Sequence, residues 1–174
     1  EQVALFVQHR IHHPVFAAAG HGHQLAREVR EALGPERWRE YRSFAVVRNP
    51  WDRFVSCVAF MMRHTGRFER DPRSTLRRVL DNPGNQSFVH YRPQSDFVTD
   101  PAGNVIVGRI CRAERLQADF DALCDEVGLE RRILERRNAS SHRHYAEYYD
   151  DDLARAVGER YRADVERFGY RFGD

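Results

Sequence analysis

Arg48 and Ser56 stand eight residues apart, and an asparagine, a proline and an aspartate follow closely behind the arginine. The apolar run Phe44-Ala45-Val46-Val47 stops at Arg48, and Asn49-Pro50-Trp51-Asp52-Arg53-Phe54-Val55-Ser56 comes next. The run is continuous and rich in β-branched and aromatic residues, so it reads as a buried strand. Asn49 suits a helix N-cap, Pro50 the first helical position and Asp52 the third. A guanidinium at such a junction is a natural anion site. The backbone N–H groups and the positive end of the helix dipole favour negative charge, and the planar fork can hold two phosphate oxygens. Asn49, Asp52, Arg53 and Ser56 fall on one helix face, so a hydroxyl donor can join the arginine. The opposing reading is a buried Arg48 paired with a carboxylate and a Ser56 that only packs. Spacing alone leaves both open.

A second group of chemistry-bearing residues is the histidines of the N-terminal region: His9, His12, His13, His21 and His23. In an extended segment His21 and His23 point to the same side. A neutral imidazole titrates near neutrality and can accept a proton from a hydroxyl. An H-x-H pair can also chelate, but a third ligand with defined spacing is not apparent, and no metal is expected. His9, His12 and His13 read as surface residues. Asn138, Ser140 and Arg143 form a polar cluster before Tyr145, Tyr148 and Tyr149; it reads equally as an Asn-capped turn leading into the last helix. Arg92 and Gln94 lie at the end of a turn-rich segment, 81–94, that suits a recognition loop.

The elements that must position these groups are legible in outline. Helices are predicted at Gln24–Leu33, Pro50–His64, Pro72–Leu80, Ala113–Val127 and Asp151–Phe168, with Gly34, Gly128 and Gly169 as stops for the first and the last two. Leu153, Val157, Tyr161 and Val165 give the last helix its clearest stripe. A strand is predicted at Val105–Ile110, after turn signals at Asp100–Asn104, and another at Val3–Val7. Alternating strands and helices imply an α/β fold with a parallel sheet covered on both faces, and Arg48 falls at the carboxyl edge where such sheets bind ligands.

The 174 residues suffice for one domain with one core. A composition 41% hydrophobic and 31% charged is that of an ordinary soluble globular chain, and a net charge of +2 gives no argument for nucleic acid. No apolar run approaches a membrane span. Cys57, Cys111 and Cys124 are odd in number, with neither disulfide nor zinc spacing; Cys57 and Cys124 fall on apolar helix faces and read as small core residues, and the usage fits a reducing, bacterial-like cytoplasm. A Golgi-lumenal or membrane-anchored parent is the alternative setting.

VVRNPWDRFVS resembles the 3′-phosphate-binding segment of PAPS-dependent sulfotransferases, and is most similar to the carbohydrate group often called sulfotransferase family 2, which includes heparan sulfate 2-O-sulfotransferase-like enzymes. His21-Gly22-His23 resembles that family's histidine element, and Tyr91-Arg92-Pro93-Gln94-Ser95-Asp96-Phe97 a segment near its acceptor side. Arg112-Ala113-Glu114-Arg115-Leu116 with Asp119-Phe120, Asn138-Ala139-Ser140, Tyr148-Tyr149-Asp150 and Phe168-Gly169-Tyr170-Arg171-Phe172 are similar to further family segments, in order. The resemblance implies a single domain over residues 1–174 with a three-layer α/β/α, P-loop-like fold around a central parallel sheet. It implies transfer of a sulfonate from PAPS to a carbohydrate hydroxyl without a metal, leaving adenosine 3′,5′-bisphosphate. Arg48 and Ser56 would hold the 3′-phosphate, and Arg143 the 3′-phosphate or adenosine side. Arg92 and Gln94 would face the acceptor. His23 would be the base, with His21 orienting it or the substrate.

One family feature is missing. Its phosphate loop, typically P-K-T-A-G-T-S, contacts the 5′-phosphosulfate through a lysine, whereas all 28 Lys/Arg positions here are arginine. The first strand and loop are expected upstream of Glu1. The alternative is a degenerate homologue that binds a nucleotide or glycan without transfer. A small-molecule P-loop kinase would need G-x-x-x-x-G-K-[ST] and a magnesium-binding carboxylate, and neither is recognisable.

Overall fold

The computed structural model describes residues 23–134 and 143–174. The expected strand at Val3–Val7, His21, Asn138 and Ser140 lie outside them. In chain order the elements are α1 (Ala26–Leu33), α2 (Pro35–Glu40), β1 (Phe44–Val47), α3 (Pro50–Met62), α4 (Arg67–Arg70), α5 (Pro72–Asp81), α6 (Ser95–Val98), β2 (Arg109–Arg112), α7 (Leu116–Val127), α8 (Asp151–Arg160) and α9 (Arg162–Phe168). Short 3-10 turns lie at Pro83–Asn85, Val89–Tyr91, Ala113–Arg115 and Tyr145–Tyr148. No helix among the described residues is long and apolar enough to cross a membrane.

The chain divides into two compact units. One holds the described residues of 2–47 and 94–135 and contains the sheet. There β1 and β2 pair in parallel, Phe44 opposite Arg109 through Val47 opposite Arg112, giving an α/β fold with a small parallel sheet. Ser43 sets the register: its carbonyl accepts the Arg109 N–H at 3.0 Å and its Oγ the Gly108 N–H at 3.0 Å. A Cβ on Gly108 would stand 3.1 Å from the Ser43 carbonyl oxygen, so this close approach favours glycine. Behind β2, Asp119 of α7 accepts the Arg112 N–H at 2.7 Å. Leu25, Val29, Ala45, Val47, Phe97 and Cys111 are among the buried residues of this unit.

The strand expected at Val105–Ile110 is therefore shifted to Arg109–Arg112. Asp100 explains the shift. Its carboxylate accepts the backbone N–H groups of Ala102 and Asn104 and closes a tight turn, which aligns Val105 with Thr99 in a single antiparallel bridge. Those N–H groups hold the Asp100 carboxyl below the usual carboxylate range, the Asn104 bond contributing most.

The other unit holds residues 48–93 and the described part of 136–174. Its centre is α3, against which α5, α8 and the Tyr145–Tyr148 turn pack. Phe54 meets Tyr91 and Tyr161 with ring centroids 6.1 Å apart in both cases. The helix expected over Asp151–Phe168 is broken at Tyr161, which has φ −110° and ψ 26°. The apolar stripe runs through the break because the Tyr161 N–H still reaches the Val157 carbonyl and the Val165 N–H the Tyr161 carbonyl, at 3.0 Å each. Periodicity is conserved across the kink and could not announce it. The short helices α2, α4 and α6 carry too few turns for a periodic signal.

Burial pushes the Tyr91 and Tyr161 hydroxyls up to about 12, and Tyr149 well above its ordinary value. A tyrosine that ionises near 10 when unfolded but stays protonated when folded stabilises the fold fully below about pH 10. That contribution is lost as pH rises from about 10 through 12, at up to about 1.4 kcal/mol per unit for each group. Urea unfolding at pH 8 and pH 11.5 should show this decline, and Tyr161→Phe should make it shallower. An equally steep decline in the variant would contradict the assignment to Tyr161.

Candidate functional site

Asn49 builds the start of α3 as its sequence position foretells. Its Oδ1 accepts the N–H groups of Trp51 at 3.0 Å and Asp52 at 3.4 Å, and Pro50 has no N–H to offer. The first-turn donors are thus already taken, which corrects the expectation that backbone N–H groups here would face an anion. The other end of the same side chain is also engaged. Asn49 Nδ2 donates to Tyr145 Oη at 3.3 Å and to the Arg171 carbonyl at 3.0 Å, with the residue 1% exposed. Tyr145 Oη accepts the Gly173 N–H at 2.7 Å. Phe172 lays its ring edge-on to Trp51, Tyr145 and Tyr149, with centroids 5.5–5.8 Å apart. The C-terminal segment therefore seals the cap of α3. Burial, and then the carboxylates of Asp52 and Asp174, push the Tyr145 hydroxyl up against the opposing bonds from Gly173 and Asn49.

Arg48 precedes this cap. Its Nε lies 2.6 Å from Asp52 Oδ2, one helical turn on, with side chains 29% and 19% exposed. Of the two readings left open by spacing, pairing with a carboxylate is realised for Arg48. Asp52 takes the Nε side of the guanidinium and so fixes the plane of the fork. Ser56 follows one turn later on the same helix and is half-buried. Its hydroxyl makes no hydrogen bond among the described residues.

The other expected site residues fall as follows. Arg143 is exposed and lies 3.9 Å from Glu147, the outer limit of an ion pair. Arg92 is half-buried in extended backbone after the Val89–Tyr91 turn. Gln94 has no exposed surface, so its burial gives no support to direct contact with an acceptor. His23 is half-buried just ahead of α1, in the unit that contains the sheet. Arg53, which spacing placed on the same helix face as Ser56, is 5% exposed. Its Nη2 donates to the His90 carbonyl at 2.9 Å, and its Nε is buried without a partner. The Arg48–Asp52 pair was readable from i,i+4 spacing. The contribution of Tyr145, Arg171 and Phe172 to the same place carried no local signal. Among the described residues no group of three or more His, Cys, Asp or Glu side chains is arranged to hold a metal ion.

Comparison with known proteins adds one finding. The model of the sulfotransferase family matches residues 5–171, nearly the whole chain. No curated protein and no solved structure matches. The strand-to-helix segment with Arg48, Asp52 and Ser56 lies inside that match, and the chain belongs to the sulfotransferase family, whose chemistry is sulfate-group transfer.

Proposed function

We propose that the protein transfers a sulfonate from PAPS to a hydroxyl of a carbohydrate acceptor. The observation that carries this reading is the Arg48 guanidinium, oriented by Asp52 at the head of α3, with the Ser56 hydroxyl one turn beyond. An arginine fork and a hydroxyl on one short stretch suit the 3′-phosphate of the donor ribose. The Nη edge of the fork would meet phosphate oxygens while Asp52 keeps the Nε edge. Arg143 would approach the nucleotide and Arg92 the acceptor. His23, assisted by His21, would accept the acceptor proton. As that proton leaves, the acceptor oxygen bonds to sulfur and the S–O bond to the 5′-phosphate breaks. Adenosine 3′,5′-bisphosphate then departs with the bonding pair. Fixed arginine charge and in-line positioning would supply much of the acceleration. In this reading β1 and β2 are part of the central sheet of a three-layer α/β/α fold. The buried, unpaired cysteines fit a reducing cytoplasm.

Calorimetric titration with adenosine 3′,5′-bisphosphate against 5′-AMP tests the donor site. The bisphosphate should bind at least tenfold more tightly. Arg48→Ala should erase the difference, a loss of about ten- to a hundredfold for charge-assisted bonds to phosphate. His23→Ala should leave that affinity intact. Equal affinity of the native protein for both nucleotides would refute the donor assignment.

A further inference from the structure

We propose that Arg53 is a positioning residue: its buried guanidinium holds the loop leading to Arg92, and so sets where that arginine stands. The acceptor-side role of Arg92 rests on the function proposed above.

Arg53 lies on α3 and is 5% exposed. A guanidinium stays charged in any protein environment. No carboxylate among the described residues pairs with it, and its Nε is buried with no acceptor. An uncompensated buried charge destabilises a fold relative to an apolar side chain of similar volume. Stability alone therefore does not account for an arginine here. What the side chain does make is one bond, from Nη2 to the His90 carbonyl at 2.9 Å. The next carbonyl, that of Tyr91, accepts the hydroxyl of Tyr161 at 3.0 Å. Tyr161 is 1% exposed and stands at the break between α8 and α9. Further back, the Gln86 carbonyl accepts Arg160 Nη2 at 3.1 Å. The loop is thus gripped by its backbone, including two consecutive carbonyls directly before Arg92. Grips of this kind fix the course of the chain while leaving its side chains to other tasks. The helix that carries Ser56 also carries the arginine that steadies this loop, so one rigid element would set both sides of the reaction.

Arg53→Met and Arg53→Lys test the proposal by residue-resolved hydrogen exchange, urea unfolding and titration with adenosine 3′,5′-bisphosphate. In Arg53→Met the amides of residues 89–92 should exchange at least tenfold faster, while the urea midpoint stays level or rises and nucleotide affinity changes less than twofold. Arg53→Lys keeps a charged donor and should bring the exchange back to within threefold of the native rate. Unchanged exchange at 89–92 in Arg53→Met overturns the proposal. So does a general loss of protection across α3 and α8, or failure of Arg53→Met to fold, because either makes Arg53 an ordinary structural residue. Lack of nucleotide preference in the native protein would strike the donor reading and leave the exchange result standing.

Discussion

Replacing Asn49 by alanine is expected to destabilise the protein by about 3–4 kcal/mol, read from urea or thermal unfolding. Loss of a side-chain cap costs about 0.5–2 kcal/mol. Each buried bond adds about 1 kcal/mol, with a further penalty where a partner is left unsatisfied. Asn49 serves both ends: Oδ1 caps Trp51 and Asp52, and Nδ2 binds Tyr145 Oη and the Arg171 carbonyl. Asn49→Ser separates them. Serine keeps a cap oxygen but has no amide to reach Tyr145 or Arg171, so about half of the loss, roughly 2 kcal/mol, should remain. If serine restored full stability, the attachment of the C-terminal segment through Asn49 would contribute nothing. Because the same cap seats Arg48, Asn49→Ala should also weaken binding of adenosine 3′,5′-bisphosphate, whereas a remote destabilising substitution should not.

The second large effect concerns Trp51. Its ring is 6% exposed, its Nε1–H donates to the Ala154 carbonyl at 2.7 Å, and its own carbonyl accepts the Tyr149 hydroxyl at 2.9 Å. Trp51→Ala should cost about 4 kcal/mol through lost burial and the cavity left behind. A double-mutant cycle with Gly158 makes the packing explicit. In an exposed helix interior, glycine to alanine stabilises by up to about 1 kcal/mol. In α8 a Cβ on Gly158 would stand 2.8 Å from Cζ2 of Trp51, so there Gly158→Ala should destabilise by about 1–3 kcal/mol. In a Trp51→Phe background the obstructing ring is smaller, and the same substitution should become neutral or stabilising. A destabilisation that persisted unchanged in that background would show that the indole is not the obstacle.

Much of the frame around the site was legible because its signals are local. Asn49, Pro50 and Asp52 announced the start of α3, and Gly128 and Gly169, with φ of 70° and 66°, end α7 and α9 in the left-handed conformation that glycine adopts most readily. Phe44–Val47 is the strand that its composition predicted. The site was legible only in part. Spacing put Arg48 and Ser56 on one helical stretch, yet it could not choose between a phosphate-facing and a carboxylate-paired arginine. It also treated Arg53 as equivalent to its neighbours on the same face.

By itself the sequence determined where helices start and stop, which residues share a face, and membership of the sulfotransferase family, since each depends on order and spacing along the chain. Only tertiary structure decided the partners that lie far apart in it. Ser43 finds Gly108, Arg53 finds the His90 carbonyl, and Asn49 finds the Arg171 carbonyl. The physical reason is that a hydrogen-bonding group signals its need for a partner but not which partner. Burial then depends on what packs over a residue, and periodicity within one helix carries no record of that.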